Sequence, residues 1–397
     1  MSPLVQPFTV MHLISSLRLG GSERLLVSTM QAAARERSQP YVIVVMNDRV
    51  DESLFAELKA TGFPVYRLDR PQGHVHPRYL TRLLGIVRRH GVRFIHTHND
   101  GSLAWGMALK TAWPRLKLVY TQHAQGGALE FTGMRRQAYR ALVGMTVAIS
   151  PFIARETNEL AKGRVTLAPN GINLDRFRIE REPMRIREPT RLVQVARIAR
   201  IKGQDIAIRA LRRCIDLRHA MRLTIVGTAS EPEYFEEIKA LIASLDLEAH
   251  VDIVLDRTDV ERFLADSDIF VLASRHEGFG LAIVEAMAAG TPVVASATGG
   301  AKDLVADGVN GLRFTPEDDG DLAMALLRMS SDIGLRRACA HAGFETASAF
   351  DVKHTLDALN RMYRRLYDPT FRADDIGAQG VETTAASDTP WRVSPTA

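Results

Sequence analysis

At 397 residues, 46% hydrophobic and 24% charged, the chain has ordinary globular usage and room for two to three domains, which excludes extensive disorder and low-complexity architectures. No uncharged apolar run reaches the ~18 residues of a membrane-spanning helix, and two cysteines without a C-x-x-C argue against a disulfide framework or a cysteine zinc site. The net charge of +5 hides an asymmetry, because residues 1–178 hold 24 Lys and Arg against 12 Asp and Glu and the remainder is acidic; the first half suits an anionic partner such as nucleic acid, a membrane surface or a phosphorylated substrate.

The opening MSPLVQPFTVMHLIS has no cation before Arg18 and reads as a first strand (8–14), not a secretion signal, so a cytoplasmic protein is expected. SLRLGGSERLL (16–26) follows, with Gly20 and Gly21 in a tight loop and Ser22 placed to cap the next helix. The loop matches neither G-x-G-x-x-G nor a P-loop, so dinucleotide or ATP binding has little support. Further strands are predicted at 41–46, 63–68, 93–98, 117–122, 145–150 and 164–169, separated by helical patterns such as 22–37 and 78–91. In 78–91 Leu80, Leu83, Leu84 and Val87 share a face, with arginines on the others. His96, His98 and His123 sit at strand ends. His96 reads as a core or rim residue, whereas His98 and His123 open into glycine-containing loops and are candidates for function. His-x-His could ligate a metal, but no third ligand stands at suggestive spacing. In 131–145, Phe131, Met134, Ala138 and Leu142 can share a helical face bordered by Arg135, Arg136 and Arg140, a pattern suited to a lipid headgroup layer.

After the charged stretch 181–190 the pattern restarts, with strands predicted at 191–196, 222–227, 250–255, 268–273 and 291–296. Continuous apolar strands alternating with helices indicate parallel sheets covered on both faces. The fold class is therefore α/β: two doubly wound, Rossmann-like parallel-sheet domains whose strand ends face a cleft. The hinge is placed near 178–190, giving domains 1–180 and 181–350, a final helix 351–367 and a polar, disordered tail 368–397.

The second half carries the densest chemistry. In EGFGLAIVEAMAAG (277–290), Glu277 precedes a helix and Glu285 lies two turns inside it, a span of about 12 Å at helical rise. Two carboxylates at that separation could accept bonds from two hydroxyl-rich rings, and Glu285 among apolar neighbours would be costly without a partner. Gly278 and Gly280 permit close backbone approach, and the helix start favours an anion. RIARIKG (197–203) places Arg197 and Lys202 on the loop where doubly wound units hold phosphates, a planar fork beside a point charge. Asp266 and Asp268 open a buried strand and read as structural. No Gly-x-Ser-x-Gly elbow or cysteine nucleophile is present.

Over roughly 8–367 the chain resembles the retaining GT-B glycosyltransferases of family 4. The resemblance rests on Glu277 and Glu285 in EGFGLAIVEAMA, on VARIARIKGQD, PNGIN (169–173), GGSERLL and DGVNGLRF (307–314). It implies that Arg197 and Lys202 bind the donor diphosphate, and that Glu285 accepts the ribose hydroxyls. Glu277 and the amides of Gly278, Phe279, Gly280 and Leu281 would hold the donor sugar and phosphate. Gly20 and Gly21 would approach the diphosphate, His123 would contact the sugar near the reaction centre, and the base would lie near Arg257. His98 and Asn170 fall on the acceptor side. Two departures stand out: Leu255 where the family commonly has Gly, and Gly299-Gly300-Ala301-Lys302-Asp303 where it often has Gly-Gly-x-Pro-Glu.

The implied reaction is front-face transfer with retention, in which a hexose or N-acetylhexosamine passes from a nucleotide-sugar (UDP favoured, GDP an alternative) to a hydroxyl of a lipid-linked or polysaccharide acceptor in envelope glycan biosynthesis. Arg197 and Lys202 take the place of a metal, so neither cofactor nor metal is expected. The partners are the donor, the acceptor and an anionic membrane surface at the inner face, with no nucleic acid. Three alternatives stand: a small soluble acceptor, a nucleotide-sugar 2-epimerase of similar architecture, and a two-domain sugar- or nucleotide-binding regulator.

Overall fold

The computed structural model describes residues 8–18, 20–123, 126–179, 184–368 and 370; the expected tail lies almost wholly outside the described residues. The chain divides into two compact units, one running to Gly171 and resuming at Val352, the other spanning Ile172–Asp351.

The first unit begins Thr9–Ile14 (β1), Gly21–Arg35 (α1), Tyr41–Asn47 (β2), Glu52–Ala60 (α2), Val65–Arg70 (β3), Pro77–Arg89 (α3) and Val92–Thr97 (β4). It continues Asp100–Ala112 (α4), Lys117–Gln122 (β5), Gly133–Leu142 (α5), Val143–Ala148 (β6), Pro151–Ala161 (α6) and Val165–Leu167 (β7). The second unit comprises Leu174–Phe177 (α7), Thr190–Val195 (β8), Gln204–Asp216 (α8), Met221–Gly227 (β9), Pro232–Ser244 (α9), Val251–Leu255 (β10) and Val260–Ala265 (α10). Ile269–Leu272 (β11), Leu281–Ala288 (α11), Val293–Ser296 (β12), Gly299–Leu304 (α12), Leu312–Phe314 (β13), Asp319–Ser331 (α13) and Ile333–Ser348 (α14) complete it, and Val352–Tyr367 (α15) closes the first unit.

Both sheets are parallel, with strand orders β3-β2-β1-β4-β5-β6-β7 and β10-β9-β8-β11-β12-β13. Strand order reverses between β1 and β4 in one sheet and between β8 and β11 in the other, so the loops after those strands stand side by side, the position where doubly wound sheets bind ligands. Near-continuous apolar strands make this possible: Val42, Ile43, Val44 and Val45 of β2 are all buried, and alternate residues feed cores on opposite faces of the sheet.

α15 is integral to the first unit's core. Leu356 and Tyr363 are inaccessible to solvent, and Tyr363 packs on Phe94 with ring centroids 5.3 Å apart. Its polar contacts are equally specific: Thr355 donates to the Pro169 carbonyl at 2.6 Å, and Asn360 accepts from the Tyr41 hydroxyl at 2.9 Å.

Three expectations need correction. The units divide at Gly171–Ile172, ahead of the expected hinge, because Ile172 donates its amide to the Phe350 carbonyl (2.8 Å) and α7 packs on α11. Ser22 does not cap α1; the helix starts at Gly21, Gly20 holds the cap position, and the Ser22 hydroxyl donates to Glu23. The apolar face proposed for 131–145 does not form as one stripe. Phe131 lies before the helix, Tyr139 is the residue α5 buries, and Met134 is 85% exposed. Arg136 pairs with Glu159, and Arg140 donates to the carbonyls of Glu159 and Leu160, so these cations face α6.

Candidate functional site

In the second unit, adjacency of β8 and β11 brings two loops together. After β8 the chain forms a 3-10 turn, Arg200–Lys202, ending at Gly203, which is left-handed (φ 64°) and lies against the Ala273 carbonyl, 2.0 Å from where a Cβ would stand. Only glycine fits there, because both dihedral and space forbid a side chain. After β11 the loop Ser274–Gly280 leads into α11, with Gly280 left-handed at φ 101° as its cap. The result is direct contact between two residues far apart in sequence: Lys202 Nζ donates to Glu277 Oε2 at 2.6 Å. The side chains are only 18% and 14% exposed. Ser274 Oγ donates to the same carboxylate oxygen at 3.2 Å.

The two glycines that the segment 299–303 shares with the family pattern have a role in this loop. Gly300 donates its amide to the Glu277 carbonyl at 2.8 Å, and a Cβ on Gly299 would stand 2.0 Å from that same oxygen. Phe279 turns its ring inward, 2% exposed and edge-on to Phe350. Its neighbours Gly278 and Leu281 are half-buried, as is Glu285. Glu285 is the fifth residue of α11, about one turn inside rather than two, and residues 277–280 are loop. The helical-rise estimate of the Glu277–Glu285 separation therefore does not apply.

Arg197 is exposed on the β8 loop, with its carbonyl held by Gln204 Nε2 at 2.9 Å. Arg257 is also exposed, but its guanidinium is engaged by Asp259 at 2.7 and 2.5 Å and lies over the Phe263 ring. Asp268 accepts from the Arg191 amide at 2.9 Å, as a strand-opening structural carboxylate should.

The first unit holds a second polar cluster. His98, His123 and Asn170 converge on one cavity of about 20 Å³, which His12, His96, Thr121 and Thr355 also line. His12 Nδ1 and His98 Nε2 share a hydrogen bond of 2.7 Å, and His96 spends its two nitrogens on Tyr363 (2.5 Å) and Thr121 (2.6 Å). His12 Nε2, His98 Nδ1, His123 Nε2 and Asn170 Oδ1 are buried with no hydrogen-bond partner among the described residues, and the space is of the size that holds one water. Burial pushes His12 down to about 3 and His123 to about 4, and it also drives His96 and His98 well below 6.5. All four imidazoles are neutral at pH 7. His12 is the third imidazole that spacing did not supply; it pairs with His96 in the β1–β4 register, and nitrogens of His12, His96 and His98 lie within 4.8 Å of one another. His12 Nδ1, His98 Nε2 and both nitrogens of His96 are engaged with one another, with Tyr363 and with Thr121, while His12 Nε2 and His98 Nδ1 are placed to bond a hydroxyl or a water. Gly20 and Gly21 lie in the same unit at the start of α1.

The sequence profile of glycosyl transferases group 1 matches residues 175–346, and that of glycosyltransferase family 4 matches 19–176. The chain belongs to the group 1, family 4 glycosyltransferases. Among relatives of this glycosyltransferase is a D-inositol 3-phosphate glycosyltransferase from Streptosporangium roseum, 32% identical over 68% of both chains. Another, from Corynebacterium jeikeium, is 27% identical over 72% of this chain and 75% of its own. The fold matches HepE of Anabaena, whose structure holds UDP-glucose, with a TM-score of 0.76, 23% identity and 90% and 99% coverage. It also matches a glycosyltransferase from Rickettsia africae at TM-score 0.77, 20% identity and 91% and 99% coverage.

Proposed function

We propose that this glycosyltransferase moves a hexose or N-acetylhexosamine from a UDP-sugar to a hydroxyl of an anionic acceptor, with retention and without a divalent metal. The observation that carries the proposal is the Lys202–Glu277 contact at the mouth of α11. An ammonium has three donors, so Lys202 can keep Glu277 while turning the others to the donor diphosphate. Arg197 adds a second cation from an exposed position on the same loop as Lys202. Together they neutralise the charge that grows on the departing phosphate oxygen, the part a metal plays in other phosphate-leaving reactions. Glu277, anchored by Ser274, orients the transferred sugar, and Glu285 takes the ribose hydroxyls. The acceptor hydroxyl attacks the face the nucleotide leaves, and its proton passes to that leaving oxygen. His123 contributes as a neutral hydrogen-bonding ring, since its pKa of about 4 excludes an imidazolium at pH 7.

Release of UDP, GDP or ADP from matching sugar donors, with and without EDTA, tests the donor and the metal together. UDP release undiminished by EDTA and an α-linked product from an α-linked donor are expected. Loss in EDTA with recovery on adding manganese, or an inverted product, refutes the mechanism.

Two acceptor classes have support. Inositol phosphate in the names of the relatives favours a small phosphorylated polyol. A lipid-linked acceptor is favoured by α3, which exposes Arg78, Arg82, Arg88 and Arg89 together with Arg93 at the start of β4. Cosedimentation with anionic liposomes that fades at high salt supports the lipid class; binding to neither anionic nor neutral liposomes leaves the soluble phosphate ester.

A further inference from the structure

Arg275 lies outside the motifs that carry the family resemblance, in the loop between β11 and Glu277, yet this residue ties together the two loops that carry the candidate site. Its guanidinium forks onto Asp205, Nη1 to Oδ1 at 3.0 Å and Nη2 to Oδ2 at 2.9 Å. The same Nη1 donates to the Arg200 carbonyl at 2.6 Å, and the Arg275 amide donates to the Ile201 carbonyl at 2.8 Å. Its own carbonyl accepts from Thr298 Oγ1 at 3.0 Å, beside Gly299 and Gly300. One residue thus grips the turn that ends in Lys202, the first turn of α8, and the segment that closes on the Glu277 carbonyl. Asp205 is built to receive it: the carboxylate also accepts from the Tyr234 hydroxyl at 2.7 Å and from Arg209. Burial opposes ionisation of Asp205, but the bonds from Arg275, Tyr234 and Arg209 outweigh it and hold the carboxyl well below the usual carboxylate range. Both partners are largely covered, at 20% and 13% exposure, where a bidentate pair is strong and directional.

We infer that Arg275, held by Asp205, is a positioning residue that sets Lys202 and Glu277 at their working separation. The inference rests on the proposed donor site, and it adds a residue that touches neither donor nor acceptor. The chemistry requires the planar fork: lysine could pair with Asp205 but could not bond both carboxylate oxygens and the Arg200 carbonyl at once.

The test uses the full-length protein with UDP as the ligand probe and UDP release as the activity. Arg275→Ala should lower turnover about 10- to 100-fold, the cost of a small misplacement of charged groups, with Arg275→Lys intermediate. Melting temperature is followed in parallel, and Asp205→Asn serves as the second entry to the same contact should Arg275→Ala fold poorly. The decisive measurement is a double-mutant cycle on UDP affinity. If Arg275 acts through Lys202, adding Arg275→Ala to Lys202→Ala should weaken UDP binding no further. Additive losses, or wild-type turnover in Arg275→Ala and Asp205→Asn, overturn the inference. Wild-type protein that neither binds UDP nor releases it from any UDP-sugar would instead refute the donor site itself.

Discussion

Acidification should unfold the first unit well before its carboxylates are titrated. Burial lowers the pKa of all four clustered imidazoles, to about 3 at His12 and about 4 at His123, with His96 and His98 shifted the same way. Each ring in the unfolded chain regains a pKa near 6.5. Between those values the unfolded state binds protons that the native state refuses, so stability is intact above pH 6.5 and lost as pH falls toward 4 and 3. At pH 5 His12 and His123 each forfeit about 2 kcal/mol by this linkage, and His96 and His98 add to the loss. About 4 kcal/mol from two rings is already a large part of the ~5–15 kcal/mol that holds a domain together. Trp105 and Trp113 both lie in the first unit, so in a Trp391→Phe background urea titrations followed by tryptophan emission report on it directly. The midpoint should be level from pH 8 to 7 and fall steeply between 6.5 and 5, and His12→Gln should flatten the fall. A midpoint unchanged from pH 7.5 to 5 would show that the rings are not buried neutral bases.

Which parts of this fold the sequence disclosed depends on competing local signals. Lys117–Gln122 forms the strand that its apolar run predicts, residue for residue, because nothing nearby offers the backbone an alternative. The run 145–150 is displaced to Val143–Ala148 because Ser150 caps the following helix, accepting from the Ile153 amide at 3.1 Å with Pro151 as its first residue. Helix initiation overrode strand propensity at that point. Thr291 was likewise taken from its expected strand by the Leu264 carbonyl, to which its hydroxyl donates at 2.8 Å. Leu312–Phe314 is a three-residue edge strand, too short to show a period.

The pairing of Lys202 with Glu277 was foreseeable in kind: both residues follow strands at a switch point, and the topology places such loops together. Their actual contact was not, since it depends on Gly203 and Gly299 letting backbones approach. The Arg275–Asp205 pair is not legible in the sequence, although Asp205 closes VARIARIKGQD, because an arginine and an aspartate in loop and helix settings look solvated until the fold removes the water. His12 is silent in the sequence for a related reason. A histidine in the middle of an apolar strand is informative only once β1 is known to lie beside β4, in register with His96.

Three further outcomes follow from the geometry. Lys202→Ala should cut turnover about 100-fold or more, as removal of a charge-stabilising donor does, while melting shifts far less, since Glu277 keeps Ser274; a matching collapse of both would make Lys202 structural. Gly203→Ala should destabilise the second unit by about 1–3 kcal/mol from its left-handed dihedral alone, and by more from the clash with the Ala273 carbonyl, visible as a lower melting temperature; unchanged stability would mean that the turn is not as tight as described. Ending the chain at Asp351 removes α15 and uncovers the core face formed with Phe8, Phe94, Val119 and Val147. Val352, Leu356, Leu359, Met362 and Tyr363 are buried there, and at about 1.5–3 kcal/mol for each large apolar side chain their joint loss rivals the stability of a domain. His96 also loses its Tyr363 partner, leaving one more buried nitrogen unsatisfied. The two units should then separate in behaviour: tryptophan emission from the first unit reports an unfolded chain, while the second keeps its own helices, sheet and UDP binding, since α15 is no part of that unit. A truncated protein with native tryptophan emission would show that α15 merely coats the first unit rather than completing its core.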